Sequence, residues 1–394
     1  MVSAPPPDAK PLPLAPALIA MTGLQVLVSC ALFAPNVMAP RIGIDATMLG
    51  LFSTATFAVG VGTSLLGGML AGRYGAFRIA AGCAVATFVA MGLAGVSGGG
   101  WLLVVAGLAL GCAFGPETPA SSAVLGRVAS PAMRPFAFSI RQTGNQIGAM
   151  LGSLALPSIA AIDPLWGYAA IMILAVVATI GFETLRPVYD PITRGAATSI
   201  RFRETLALLV THREIGRLAL VSIPYASMQV ALNAFLVVYA VEYLAFNLVS
   251  AGLLLATAQG GGLVGRLTFG IVARSLPARR LIVLLGITMS VVSLAVAMAQ
   301  PGWPWPVLFA GAFVFGLSAS GWNGIFLAEV ARLAPTGLIA EATGAVLMAC
   351  YTGLVAGPLL VAGMAAWFGL GAAYAVLGVA TFAAALLLQF GGRD

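Results

Sequence analysis

Residues 33–50 read FAPNVMAPRIGIDATMLG, and 202 positions further on residues 235–252 read FLVVYAVEYLAFNLVSAG. Each stretch joins the end of one apolar run to the start of the next, opening on Phe (Phe33, Phe235) and closing on Gly (Gly50, Gly252). The likeness continues downstream in the same order. Gly68-x-x-x-Gly72-Arg73 is echoed by Gly270-x-x-x-Arg274. Arg127-Val-Ala-Ser-Pro131 followed by Arg141-Gln-Thr-Gly144 is echoed by Arg332-Leu-Ala-Pro335 followed by Glu341-Ala-Thr-Gly344. Each match alone is weak, but their common order and offset point to one unit used twice. A parallel repeat of this kind is an architecture of secondary transporters, whose substrate site lies near the bilayer midplane between the repeats.

The composition says what solvent that unit meets. Of 394 residues, 60% are hydrophobic and 8% charged, with 48 Gly and 23 Pro, and the mean hydropathy is +1.03. Soluble domains carry about 25% charged residues, so a soluble enzyme, a disordered chain and a disulfide-stapled secreted domain are all excluded. Cys30, Cys83, Cys112 and Cys350 lie in apolar stretches without metal-ligand spacing and read as small buried hydrophobes.

A membrane-crossing helix needs about 20 mostly apolar residues. That measure yields twelve spans: 14–36, 47–71, 78–97, 101–126, 135–160, 165–184, 216–241, 247–273, 281–299, 304–328, 338–363 and 369–390. The runs are far longer than the alternating strands of an outer-membrane barrel, which measure about 10 residues, so the fold is all-helical. With the N-terminus in the cytoplasm, sixteen of the 19 basic residues fall in cytoplasmic segments. Arg41 alone falls in an outer loop, and Arg141 and Arg266 fall inside spans. Both termini are therefore expected on the cytoplasmic side of an inner membrane, and the net charge of +7 carries no hint of a nucleic-acid partner. The expected organisation is a Pro-rich cytoplasmic tail (1–13), a six-helix bundle (14–185), a cytoplasmic linker (186–215) and a second six-helix bundle (216–394). Span 1 reads as retained, because its cleavage as a signal peptide would leave an odd helix without its repeat partner. The linker holds His212, the only histidine, which reads as a solvated loop residue.

Over essentially its whole length the sequence resembles a major facilitator superfamily transporter. The signature that carries the resemblance follows span 2, where the family has Gly-x-Leu-x-Asp-Arg-x-Gly-Arg-(Arg/Lys). Here the run is Gly68-Met69-Leu70-Ala71-Gly72-Arg73-Tyr74-Gly75-Ala76-Phe77-Arg78. Gly68, Leu70, Arg73 and Gly75 match, while Gly72 stands where the family has Asp and Ala76-Phe77 where it has a basic pair. The resemblance implies that Arg73 belongs to a charge network locking the cytoplasmic side, and that this lock is weaker here or rebuilt elsewhere. It also implies a cavity lined chiefly by spans 1, 4, 7 and 10.

Polar groups in hydrocarbon are costly, so their distribution shows which spans hide from lipid. Spans 3, 6, 9 and 12 have interiors nearly free of them and read as lipid-facing buttresses. Span 1 carries Gln25, span 4 Glu117, span 5 Arg141, Gln142, Asn145 and Gln146, span 7 Gln229 and Asn233, span 8 Gln259 and Arg266, and span 10 Trp322 and Asn323. Glu117 and Arg141 are expected at comparable depth, about 9–15 Å from the cytoplasmic surface at 1.5 Å rise per residue. Two readings of the pair stand side by side. In one, Arg141 grips an anionic substrate with its guanidinium fork and Glu117 couples proton movement; in the other they form a permanent structural ion pair. Gln25, Asn145, Gln229, Asn233, Trp322 and Asn323 are candidate substrate contacts, with interhelical glue as the alternative for each. Arg266, Glu329, Arg332 and Glu341 read, with Arg73, as a cytoplasmic gate network. Gly111-x-x-x-Gly115-Pro116 and Gly353-x-x-x-Gly357-Pro358 read as kinked packing seams.

No phosphate-binding Gly-rich Lys loop, His/Cys cluster or nucleophile elbow appears in the sequence. No cofactor, metal or enzymatic activity is therefore expected, and ATP-driven pumping is excluded. The expected function is secondary active transport of a small organic solute, an anion by the Arg141 reading, by alternating access and with protons, by a monomer. The alternatives are a proton-driven exporter of amphiphilic drugs and, from another class, a non-transporting membrane receptor with a carrier fold.

Overall fold

The computed structural model describes residues 12–130, 133–193, 202–273, 275–335 and 339–390. Among them every regular element is a helix: α1 (Leu14–Ile42), α2 (Ala46–Tyr74), α3 (Ala76–Val96), α4 (Leu102–Val128), α5 (Arg134–Ile162) and α6 (Pro164–Thr193), then α7 (Phe202–Thr211), α8 (Arg213–Glu242), α9 (Leu248–Val272), α10 (Ala278–Met298), α11 (Trp305–Leu333) and α12 (Ile339–Phe390). Hydrocarbon offers no partner for a free backbone amide, so a spanning segment must satisfy its own, as a helix does. Helices α1–α6 and α8–α11 are single spans, and α12 is two spans joined at Gly369.

Three boundaries differ from those expected. Spans 11 and 12 run together because Gly369, at φ 82° and ψ 160°, redirects the chain in one residue, a backbone state that side chains other than hydrogen rarely permit. Helix α6 continues to Thr193, nine residues past the expected end of span 6. Hydropathy falls at Glu183, but Arg186 pairs with Glu183 at 2.8 Å and with Asp190 at 3.6 Å, so the helix persists on an i, i+3, i+4 ladder. The stretch assigned to the linker also contains α7 and the first turn of α8.

By its contacts the chain divides into two compact units. The first comprises Met1–Leu32, Ala55–Ala149 and Asp163–Ser199; the second comprises Phe33–Thr54, Met150–Ile162 and Ile200–Asp394. The division is thus more interleaved than one cut in the linker. Within each unit the helices pair in the same way. In the first unit α1 packs on α5, where a Cβ at Gly144 would sit 2.9 Å from the Thr22 carbonyl oxygen. There α2 packs on α4, with Gly111 facing the Thr56 carbonyl oxygen at 2.7 Å, and α3 packs on α6. In the second unit the equivalent pairs are α8 with the first half of α12, where Gly357 meets Ser227 at 2.9 Å, and α9 with α11, where Gly265 meets the Leu317 carbonyl oxygen at 2.6 Å. The third pair is α10 with the second half of α12, Gly378 facing the Ser290 carbonyl oxygen at 3.3 Å. Both glycine–proline runs, on α4 and α12, lie in these seams.

The repeat that opens the sequence reading ends in the same device on both sides. A Cβ on Gly50 of α2 would meet Ala362 at 2.6 Å and the Pro358 carbonyl oxygen at 2.8 Å, both on α12. A Cβ on Gly252 of α9 would collide with the Ser153 carbonyl oxygen and the Pro157 ring of α5. Each glycine therefore lies against a carbonyl at i and a side chain at i+4 of its neighbour, and all four segments belong to the second unit.

In the first unit the start of α3 is held by a residue of α6. Asp190 is 1% exposed; its Oδ1 accepts from the Phe77 amide at 2.7 Å and its Oδ2 from the Arg78 amide at 3.3 Å. A carboxylate so placed satisfies orphan amides of the first turn and complements the positive end of the helix dipole. The carboxyl group packs where any side chain on Gly75 (φ 101°) would stand. Tyr189 stacks on Phe77 at 4.8 Å and donates to the Pro13 carbonyl oxygen at 2.8 Å, tying the entrance of α1 to the same corner.

Two stability measurements check this packing. Thermal unfolding in detergent is expected to show a loss of about 1–3 kcal/mol for Gly252→Ala, through overpacking against backbone. Gly260→Ala, on the same helix with nothing within 4 Å, is expected to change stability by less than about 0.5 kcal/mol. Equal effects would mean that the Gly252 approach is not tight. Asp190→Ala is expected to cost about 1–3 kcal/mol by leaving buried amides unpaired. Asp190→Asn should recover part of that loss, and an unchanged melting temperature for Asp190→Ala would remove the carboxylate from the account of α3.

Candidate functional site

The ionisable pair anticipated within the spans is formed. Arg141 Nη2 donates to Glu117 Oε1 at 3.0 Å and to Thr118 Oγ1 at 3.0 Å, and the two charged side chains are 2% and 4% exposed. Pro116 and Pro119 flank the carboxylate on α4, and α5 supplies the arginine two turns in from its start. One such charge at mid-bilayer costs at least about 2.5–3.5 kcal/mol, so each stabilises burial of the other. Among the described residues, Glu117 Oε2 and Arg141 Nε have no hydrogen-bond partner, nor do the buried first-unit atoms Thr22 Oγ1, Gln25 Oε1 and Gln146 Oε1. Buried polar atoms normally find partners, so this group of helices carries unused donors and acceptors of both signs.

The remaining first-unit candidates divide. Gln25 is 7% exposed and its carbonyl oxygen is among the unpartnered atoms. Asn145 Oδ1 accepts from Ser29 Oγ at 2.7 Å, and Gly144 and Gly148 beside it press on α1, so this face of α5 serves the α1 seam. Thr118, Thr22 and Gln146 carried no role in the sequence reading. The short hydroxyls of Thr22 and Thr118 give little hydropathy signal, while Gln146 was noted only as one of the polar residues of span 5.

In the second unit the polar candidates are joined pairwise. Asn323 Nδ2 donates to Gln229 Oε1 at 3.2 Å, linking α11 to α8. Gln259 Nε2 donates to Asn233 Oδ1 at 2.9 Å, linking α9 to α8. Gln259, read only as a polar residue of span 8, is thus a member of this set. Trp322 is 1% exposed, edge-on to Tyr225 at 5.5 Å and to Phe326 at 5.0 Å, with its Nε1 donating to Ala319 O at 3.1 Å. It is a core side chain of α11.

The gate candidates are only partly brought together. Arg332 Nε and Nη2 both donate to the 2%-exposed Glu329, at 2.7 Å each, a bidentate fork within α11. Arg266 instead donates from Nε to the Ser320 carbonyl oxygen of α11 at 3.2 Å. That bond ties α9 to α11. Arg73 lies over the Tyr74 ring at 5.2 Å. The Glu341 side chain lies outside the described residues. Asp190 stands at the α2–α3 turn where the signature sits, against Gly75 and the amides of Phe77 and Arg78. It escaped the sequence reading because it lies over a hundred residues away, beyond a helix end placed too early. His212 is the N-cap residue of α8.

Comparison with known proteins places this geometry in a family. A search of curated protein sequences returns no match. Among solved structures, the nucleoside transporter NupG superposes with a TM-score of 0.78 at 14% identity, over 96% of this chain and 100% of that one. A bacterial homologue of the human lysosomal transporter Spinster, in an inward-facing and unoccupied conformation, gives 0.72 at 15% identity over 95% of both chains. The peptide transporter POT in complex with sulfate gives 0.72 at 14% identity, over 95% of this chain and 93% of that one. At such identities the likeness establishes the fold. The family model of the Major Facilitator Superfamily matches residues 17–358, and with twelve spans paired alike in two rounds the chain belongs to that superfamily of membrane transporters.

Proposed function

We propose that the protein is a proton-coupled carrier of a small organic anion, working by alternating access in an inner membrane with both termini in the cytoplasm. The observation that carries this reading is the buried Glu117–Arg141 pair, in which Oε2 of one and Nε of the other have no partner among the described residues. A purely structural pair would be expected to close its remaining valences, since an unmet buried donor or acceptor costs about 1–3 kcal/mol. An anion can take the free edge of the guanidinium, and a proton can take the free oxygen of the carboxylate. In this mechanism the two events are linked through the shared contact: protonation of Glu117 releases Arg141 for the anion, and departure of the anion returns Arg141 to an ionised Glu117. Gln25 and Gln146, whose amide oxygens have no partner among the described residues, are the first-unit candidates for hydrogen bonds to the solute. The positive-inside distribution of arginines supports the orientation. Nucleosides and peptides are the cargoes named for the similar folds, which fits a solute of small organic size.

Flux in proteoliposomes tests the reading, with an imposed pH gradient and a panel of labelled small acids, nucleosides and short peptides. The wild type is expected to accumulate an acid in response to the gradient. Glu117→Gln keeps the shape but cannot cycle a proton, so it is expected to lose gradient-driven accumulation while retaining exchange. Arg141→Lys keeps the charge but loses the fork and is expected to raise KM about tenfold or more, the equivalent of roughly one charge-assisted hydrogen bond. Wild-type flux and pH dependence in both variants would remove the pair from the mechanism.

A further inference from the structure

An open-sided groove of about 980 Å³ lies within the second unit, where α7, the start of α8 and α12 come together. Arg213, Arg217, Leu220 and Ile223 line it from α8 at i, i+4, i+7 and i+10, a single helical face that changes from cationic to apolar along its length. Helix α7 forms one wall, so close that a Cβ on Gly216 would collide with the Leu209 carbonyl oxygen. Met348 and Phe390 of α12 contribute to the others. Val210, Leu220 and Phe390 leave 88%, 58% and 67% of their surface exposed.

Exposed apolar side chains are ordinary on the lipid-facing flank of any span. A concave apolar surface that ends in guanidinium groups is not, because it matches an occupant with one anionic head and long apolar tails. Glu214 is engaged by Arg217 and, at 3.2 Å, by Arg279, so among the described residues two guanidinium groups share this carboxylate beside Arg213. The N-cap of α8, His212, makes no side-chain hydrogen bond to the first turn, which leaves the positive end of the helix dipole pointing at the same rim.

We propose that this groove holds one anionic phospholipid, its phosphate between Arg213 and Arg217 and its acyl chains along Leu220, Ile223 and Phe390. A zwitterionic lipid brings a cationic head to a rim already positive. A free phosphate ester lacks the tails that the apolar walls require. The lipid fastens α7 onto α8 and α12.

Thermal unfolding of the purified full chain in detergent tests this, with dioleoyl phosphatidylglycerol, dioleoyl phosphatidylcholine or glycerol 3-phosphate added. The phosphatidylglycerol shift is expected to exceed the phosphatidylcholine shift by about 3 °C or more, with none from glycerol 3-phosphate. Arg213→Gln weakens the rim, and Thr352→Trp fills the groove without altering charge; each is expected to lose at least half of that difference. Reading the difference against each variant's own melting temperature removes any loss of folding stability. Equal shifts from the two lipids, a shift from glycerol 3-phosphate alone, or a full difference in both variants would overturn the site.

Discussion

Everything in this structure depends on how closely one helix backbone can approach another in a solvent that does not drive them together. Lipid tails are as apolar as leucine, so helix association in a membrane rests on packing and interhelical hydrogen bonds, and small residues supply both by admitting backbone to backbone. The seams at Gly111, Gly144, Gly265 and Gly357 each place a carbonyl or Cα within 2.6–2.9 Å of where a Cβ would stand. Because the same three pairings recur in both rounds of the chain, the duplication is visible as a rule of contact as well as a rule of sequence. The matched approaches of Gly50 and Gly252 extend that rule to the segments of α2 and α5 that belong to the second unit.

Within that frame the polar groups do two different kinds of work. Serine, threonine and asparagine on the seams tie neighbouring spans: Ser29 with Asn145, Thr63 with the Gly111 carbonyl, Thr54 with the Val355 carbonyl. Glu117 and Arg141 differ, since each gives one contact to the other and retains an unmet atom. A buried ion pair is weak evidence for stability, because desolvation offsets most of its Coulombic gain. The same contrast separates Asp190, whose two oxygens are fully used in holding α3 and Arg186, from the carboxylate on α4.

The charged ends of the helices show how local chemistry extends structure beyond the hydrocarbon. Hydropathy alone stops span 6 near residue 184, yet the Glu183–Arg186–Asp190 ladder carries α6 nine residues further, and that extension is what delivers Asp190 to the α2–α3 turn. No scan of the signature itself could have found that contact.

Much of the fold was legible in the sequence because its determinants are one-dimensional: apolar length sets the number of spans, arginine placement sets their expected orientation, and a repeated order of weak matches sets the duplication. The pairing of Glu117 with Arg141 was legible for the same reason, since helical rise converts residue count into depth. What only the tertiary structure decided is which polar atoms remain unused. Asn145 is spent on Ser29, Trp322 is enclosed by Tyr225 and Phe326, Gln259 is joined to Asn233, and Arg266 is turned to the Ser320 carbonyl. Satisfaction of a hydrogen bond depends on distance and direction across helices far apart in the chain, and periodicity along one helix carries no record of either.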